Sequence, residues 1–300
     1  MAGTMRGVFP ILITPFDEQS RVDEESLRSL VEFNVKAGIH GIGVALGSEV
    51  YKLSEAERAL VTRVVVDQIH GRIPVVINTG AAGTDLAVLY SQTAQDNGAD
   101  ALMIMPPTFT PASPTEVREY FKAISDAVRH PILLYNIPRR VGFNLTPEVL
   151  EEMVGIEWVV AIKESSNDFI QVEATILAVG DQINVFTGHS AERGVPAVLM
   201  GARGFVSSME SQIMGREAVQ MYDLVKRGEI DRARATQLRT LALDEQMRRL
   251  GTFPANLKAA MNLLGRRGGY PRRPLLPLTE PDLARVQDVL ERLQITAPVA

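Results

Sequence analysis

The chain repeats one joint between a helix-like segment and a short apolar run. The joint lies at 37–41, 97–101 and 200–204, and in each case a glycine ends the helical pattern just before the apolar residues begin. Glycine can adopt the left-handed backbone conformation that terminates a helix. The repeat therefore predicts helices that alternate with short strands, which is the pattern of a parallel sheet.

Eight apolar runs have the length of buried strands, and segments with helical periodicity lie between them. The predicted strands are 7–14, 41–45, 74–78, 101–105, 131–135, 158–163, 184–187 and 204–207, and the clearest helices are 24–37, 55–69, 85–97 and 115–128. Eight such repeats favour an α/β fold closed into a TIM (β/α)8 barrel, which typically takes about 250 residues. A doubly wound sheet is the alternative, but it requires a glycine-rich phosphate loop after an early strand, and none is convincing.

After residue 208 the pattern changes to helices alone. Helices are predicted over 213–227, 230–250, 254–264 and 280–293, with a loop rich in glycine and proline at 268–274. We therefore expect a barrel catalytic domain over 1–225 and a C-terminal helical region over 226–300.

Composition restricts the classes of partner. The chain has 31 Lys and Arg against 36 Asp and Glu, without a basic block that could bind nucleic acid. No apolar stretch approaches the roughly 20 residues of a membrane span, and the N-terminus lacks the apolar segment of a secretory signal. Cysteine is absent, and no side chains have the spacing of a zinc or magnesium site. We expect a cytoplasmic protein with a small-molecule ligand and no metal, cofactor, nucleic-acid or membrane partner.

Lys163 ends the sixth apolar run, where a strand would bring its amine to the mouth of the barrel. Barrel enzymes place their chemistry at the C-terminal ends of the strands. Burial disfavours the ammonium form and leaves a neutral amine that can attack a ketone and form a Schiff base. The alternative is an ion pair with Glu164 or another carboxylate. No second lysine ends a predicted strand.

Other strand ends supply candidate binding groups. The backbone N–H groups of Gly47 and Ser48, with the Ser48 hydroxyl, could hold a carboxylate, although a plain tight turn is the alternative. His189 could contact a polar substrate tail or act as an acid or base near neutral pH. The remaining candidates at the seventh and eighth strands are Gly188, Phe205, which we expect in the pocket wall or the core, and Ser207.

Several motifs occur together along the chain: Gly7-Val8-Phe9-Pro10 before Thr14-Pro15-Phe16, Tyr135-Asn136-Ile137-Pro138, Ile162-Lys163-Glu164, and the segments 201–204 and 254–258. In these motifs the chain resembles the dihydrodipicolinate synthase and N-acetylneuraminate lyase superfamily over essentially its whole length. The resemblance implies a TIM barrel with a C-terminal helical region, usually assembled as a homotetramer.

The resemblance also implies roles for individual residues. Lys163 would form an imine with the ketone of a 2-oxo acid, and Tyr135 would shuttle protons; the alternative for Tyr135 is a core tyrosine with a satisfied hydroxyl. Arg140 matches an arginine that the synthases keep for the second substrate's carboxylate, which a guanidinium suits. The alternative for Arg140 is a surface arginine beside Arg139.

Two departures from the family pattern concern one proton relay. Most of the family has Gly-Thr-Thr-Gly-Glu where this chain has Ala-Leu-Gly-Ser-Glu at 45–49, so that Leu46 replaces the first threonine. The family's Pro-Pro-Tyr-Tyr reads Pro-Pro-Thr-Phe at 106–109, so that Phe109 replaces a tyrosine that reaches a neighbouring subunit's site. Both lost hydroxyls link to the catalytic tyrosine in the synthases. Their joint loss indicates a different arrangement of the site, in which Phe109 is a candidate substrate-binding residue.

The sequence therefore predicts a Schiff-base lyase that acts on pyruvate or another 2-oxo acid, as an aldolase or dehydratase of a 2-keto-3-deoxy sugar acid. Arg140 favours the alternative of a 4-hydroxy-tetrahydrodipicolinate synthase that condenses pyruvate with aspartate semialdehyde, whereas Leu46 and Phe109 oppose it. A third alternative is a non-catalytic 2-oxo-acid-binding paralogue, against which Lys163 and Tyr135 argue.

Overall fold

The computed structural model describes residues 5–109 and 111–296. The strands are β1 (Gly7–Pro10), β2 (Ile42–Val44), β3 (Val75–Asn78), β4 (Ala101–Ile104), β5 (Ile132–Asn136), β6 (Val159–Glu164), β7 (Asn184–Thr187) and β8 (Gly204–Ser207). The helices between them are α1 (Glu24–Ala37), α2 (Glu55–Ile69), α3 (Thr84–Asp96), α4 (Pro114–Val128), α5 (Pro138–Val141), α6 (Pro147–Met153), α7 (Phe169–Val179) and α8 (Ser190–Met200). The helices α9 (Met209–Met214), α10 (Arg216–Lys226), α11 (Ile230–Met247), α12 (Ala255–Leu263) and α13 (Glu280–Arg292) follow.

The strands form a closed ring in the described part of the chain. Their order is β1-β8-β7-β6-β5-β4-β3-β2, and each neighbouring pair in this order is parallel. A parallel bridge between Ile11 and Gly43 joins β1 to β2, with Leu12 N donating to Gly43 O at 2.9 Å. The predicted TIM barrel with C-terminal helices is confirmed, and the doubly wound alternative is wrong.

Alternation of side chains along the strands divides the core into two layers. The inner layer fills the barrel and includes Phe9, Met103, Leu133, Ala161 and Phe186. A larger outer layer packs the other face of the strands against the helices. Because successive side chains of a strand point to opposite faces, a residue two positions after Ala161 also faces the barrel interior. That residue is Lys163.

The repeated glycine joints end their helices as predicted. Gly38, Gly98 and Gly201 have φ angles of 88°, 87° and 116°, in the region that favours glycine. The predicted helix 213–227 is not continuous. It is divided between α9 and α10, because Gly215 has a φ of 58° and terminates α9. The first strand is shorter than predicted, since its regular pairing with β8 ends at Pro10.

The C-terminal helices pack against the barrel and against each other, and the predicted loop at 268–274 contains no helix. The division into 1–225 and 226–300 stays a prediction, and its outer ends, 1–4 and 297–300, lie outside the described residues. Of the helices in the described part, none has both the length and the apolar character needed to cross a membrane.

We expect Gly204→Ala to destabilise the barrel more than Gly38→Ala. A Cβ at Gly204 would lie 2.0 Å from the backbone oxygen of Gly7 in β1, so that the strands would have to separate. A Cβ at Gly38 meets nothing within 4 Å, and only its left-handed conformation costs about 1–2 kcal/mol. Urea unfolding of both variants measures the difference. Equal midpoints would contradict the close packing of β1 against β8.

Candidate active site

Lys163 and Tyr135 lie side by side at the ends of β6 and β5. The two residues are register partners, and Lys163 Nζ lies 4.0 Å from the centre of the Tyr135 ring. Their exposed fractions are only 7% and 4%. No carboxylate of the described residues forms an ion pair with Lys163, which removes the ion-pair alternative for this lysine.

The protonation of this pair follows from burial. Burial lowers the pKa of Lys163 from 10.5 to about 7, because the ammonium form loses its hydration. Much of the lysine is therefore a neutral, nucleophilic amine at neutral pH. Burial also raises the pKa of Tyr135, against smaller opposing effects of Arg139, Ser165 and Arg140. The phenol consequently keeps its proton and can donate it.

Glu164 belongs to the support of the site. Its carboxylate accepts hydrogen bonds from Asn136 Nδ2 at 2.7 Å, Ser166 N at 2.6 Å and Gln171 Nε2 at 3.2 Å. These bonds tie the end of β6 to the end of β5 and to α7. These bonds suit Glu164 to orient the strand ends, and in the described part of the chain Glu164 forms no ion pair with the Lys163 amine.

The turn after β2 is a short 3-10 helix, Leu46–Ser48. Both the hydroxyl and the backbone N–H of Ser48 donate hydrogen bonds that hold this turn. The Ser48 hydroxyl donates to Leu12 O and accepts from Ala45 N at 3.1 Å, while Ser48 N donates to Ala45 O at 2.9 Å. The geometry therefore does not support Ser48 as a carboxylate-binding residue; it holds the turn. Gly47 N has no acceptor among the described residues and stays a candidate donor.

A buried ionic cluster that the sequence reasoning missed holds this turn in place. Glu49, fully buried with a φ of 58°, pairs with Lys258 and Lys52 at 2.7 Å each. Lys258 Nζ also donates to Thr14 O and Tyr270 O at 2.8 Å. Burial lowers the pKa of Lys258 to about 8, with Glu49 opposing the shift. The only sequence signal was a lysine inside the apolar segment 254–258.

His189 begins α8 with a φ of 52°, and its ring is largely buried. Among the described residues, its Nε2 has no hydrogen-bond partner. Burial lowers the pKa of His189 to about 3, and the charges of Arg193, Arg139 and Lys163 add to this. The ring is therefore neutral near pH 7, which does not support the predicted acid or base role, and its contact with a polar substrate tail stays a prediction.

Gly188, which precedes His189, lies close to the side chain of Ser165. A Cβ at Gly188 would lie 2.0 Å from the Ser165 hydroxyl, which only glycine avoids. Its N–H donates to Glu164 O at 2.7 Å, and Ser165 N donates to Asn136 O at 2.8 Å. The ends of β5, β6 and β7 are thus joined around Ser165.

Comparison with known proteins identifies the family. The model of the dihydrodipicolinate synthetase family matches residues 4–293. The chain belongs to this family. A 4-hydroxy-tetrahydrodipicolinate synthase from Geobacter sp. (strain M21) is 33% identical over 292 residues, 97% of this chain and 99% of that protein. A DapA-like lyase from Rhizobium meliloti, described as uncharacterised, is 37% identical over 294 residues, 96% of each chain.

Solved structures of the dihydrodipicolinate synthetase family share the fold. A dihydrodipicolinate synthase with 30% identity has a TM-score of 0.90 and covers 97% of this chain and 100% of its own. YagE from Escherichia coli K12, in complex with pyruvate, has 26% identity and a TM-score of 0.93. The match covers 97% of this chain and 99% of YagE. The chain is accordingly a lyase of this family.

The structure places the remaining predicted site residues in different surroundings. Phe205 faces the outer layer, with its ring 6.5 Å from that of Tyr222, so of its two predicted places the structure supports the core and not the substrate-binding pocket wall. The Ser207 hydroxyl donates to Ser211 Oγ in α9 at 2.9 Å. Phe109 is 96% exposed. Arg140 is exposed on α5 and close enough to Tyr135 for its charge to act on the phenol.

We expect Lys258→Met to destabilise the protein by about 3 kcal/mol or more, since it leaves a buried carboxylate and two backbone carbonyls with fewer partners. Lys52→Met is the control, because Lys52 is more exposed and its loss leaves the bond between Lys258 and Glu49 intact. Chemical denaturation measures both. A larger loss of unfolding free energy from Lys52→Met than from Lys258→Met would contradict the conclusion that Lys258 holds the ionic cluster together.

Proposed function

We propose that the protein is a class I lyase that forms a Schiff base between Lys163 and the ketone of pyruvate or another 2-oxo acid. The observation that carries the proposal is a buried, unpaired amine with a pKa of about 7 beside a protonated phenol. The pyruvate complex of YagE supports the choice of ligand class. In our proposal the protein requires no cofactor.

The geometry supports a simple sequence of steps. The neutral Lys163 amine attacks the ketone carbon, and Tyr135 donates the proton with which the former ketone oxygen leaves as water. The Gly47 N–H is the candidate donor to the substrate carboxylate. The protonated imine then accepts the electron pair of a bond broken at the neighbouring carbon, either carbon–carbon in an aldolase or carbon–hydrogen before loss of a hydroxyl in a dehydratase.

We favour a 2-keto-3-deoxy sugar acid as the substrate, because Leu46 and Phe109 lack the hydroxyls of the synthase relay. The second candidate is 4-hydroxy-tetrahydrodipicolinate synthase. Arg140 and the name of the Geobacter relative support it. A pyruvate adduct without turnover of any sugar acid or of aspartate semialdehyde would instead favour a non-catalytic binding paralogue.

We expect one pyruvyl adduct per chain when the protein is incubated with pyruvate and borohydride, and none for Lys163→Ala. Tyr135→Phe should form the adduct about 10²–10⁴-fold more slowly, since it removes a proton donor. The wild-type rate should fall about tenfold for each pH unit below about 7, where Lys163 is protonated, and level off above it. Intact mass after timed quenching measures all three, and a full adduct on Lys163→Ala would sink the proposal.

We also propose a homotetramer located in the cytoplasm. Leu177 and Ile170 in α7 are 88% and 72% exposed, and the neighbouring helix α8 exposes about half of Leu199 and Met200. Large exposed apolar patches are typical of protein interfaces. A neighbouring copy would cover these side chains.

We expect sedimentation to give four times the monomer mass, and Ile170→Lys with Leu177→Lys to lower it, because two charges would be buried in the interface. Leu276→Lys is the matched control, since Leu276 is 71% exposed and lies outside α7 and α8. A wild-type monomer would contradict the assembly.

A further inference from the structure

Ser165 is a buried hydroxyl that neither the core nor the steps above use. It follows Lys163 by two residues, and only 3% of it is exposed. Its Oγ has no hydrogen-bond partner of standard geometry among the described residues. An unsatisfied buried hydroxyl is costly and calls for an explanation.

The backbone holds the Ser165 hydroxyl close to the phenol of Tyr135. Ser165 N donates to Asn136 O, the residue after Tyr135, and the Oγ occupies the space that a Cβ at Gly188 would take. In this position the hydroxyl is close enough to the phenol to lower the pKa of Tyr135, against the larger effect of burial. A serine hydroxyl can donate one proton and accept another at the same time, which a relay requires.

The two positions of the family's relay offer no such group. Leu46, which replaces the family's first threonine, packs its apolar side chain against the inner layer of the barrel. Phe109 carries no hydroxyl. The two relay positions of the family pattern are thus without oxygen, and Ser165 is a buried hydroxyl beside Tyr135 that can take their place.

We propose that Ser165 relays protons to and from Tyr135 during imine formation, in place of the hydroxyls missing at Leu46 and Phe109. The proposal rests on the imine chemistry and refines it. The attack leaves two protons on the nitrogen and none on the former ketone oxygen. Ser165 accepts the first of these protons and passes its own to Tyr135, whose proton converts that oxygen to a hydroxyl. The second nitrogen proton follows the same route, and the hydroxyl leaves as water. Both side chains end unchanged, and the net reaction is amine plus ketone to imine plus water.

The test is the rate of the pyruvate adduct trapped by borohydride, measured against pyruvate concentration. We expect Ser165→Ala to lower the maximal rate about 10- to 100-fold and to change the half-saturating concentration less than threefold. Ser165→Thr, which restores a hydroxyl, should stay within about threefold of wild type. Ser166→Ala is the matched control and should keep the wild-type rate, because its hydroxyl bonds to Asp168 O and has no relay role.

A second comparison separates a relay from a structural effect. Residues of one relay act as a unit, so Ser165→Ala combined with Tyr135→Phe should be no slower than Tyr135→Phe alone. Additive losses, an unchanged rate in Ser165→Ala, or an effect confined to the half-saturating concentration would each overturn the relay. If the wild type forms no pyruvate adduct, the imine chemistry itself fails. If it does, these outcomes decide on Ser165 alone.

Discussion

An amine buried without a counter-charge is the constraint on which the chemistry of this barrel depends. Lys163 is surrounded by the inner layer, where Phe186 is its register partner and packs edge to face on Phe9 at 5.2 Å. Such surroundings strongly disfavour an unpaired ammonium ion, so the lysine gives up its proton near neutral pH. The apolar packing that stabilises the barrel thereby also supplies the neutral amine that the proposed reaction requires.

Lys258 shows why burial alone does not identify a nucleophile. It is as buried as Lys163, yet it meets Glu49 and two backbone carbonyls, and its pKa is lowered less, to about 8 against about 7. The partners of Lys258 make it a cross-link between α12 and the strand ends. The absence of partners leaves Lys163 available to a ketone. Two buried lysines of one barrel thus differ in function because of their neighbours.

The barrel and its lysine could be predicted because their signals are local: apolar runs, glycine joints and a lysine at the end of a strand. The directions of the side chains at the other strand ends could not be predicted from such local signals. In β8 both faces are buried, so an apolar run does not reveal that Phe205 points outward. The donors of Ser48 are used by a turn whose geometry no pattern predicts. The pKa of His189 is lowered first by burial and then by the charges of Arg193, Arg139 and Lys163, and the fold produces both effects.

The surroundings of Tyr135 offer one explanation for both departures from the family pattern, Leu46 and Phe109. A phenol that donates its proton in each turnover needs a neighbouring oxygen that returns a proton to the phenol. An apolar Leu46 is compatible with catalysis when such an oxygen lies elsewhere, and Ser165 lies at the junction of β5, β6 and β7 because Gly188 leaves room for it. In the proposed relay, proton transfer at this junction involves no side chain from the β2 turn or the segment at 106–109. Under that proposal, those two segments are free to adapt to the distal part of the substrate.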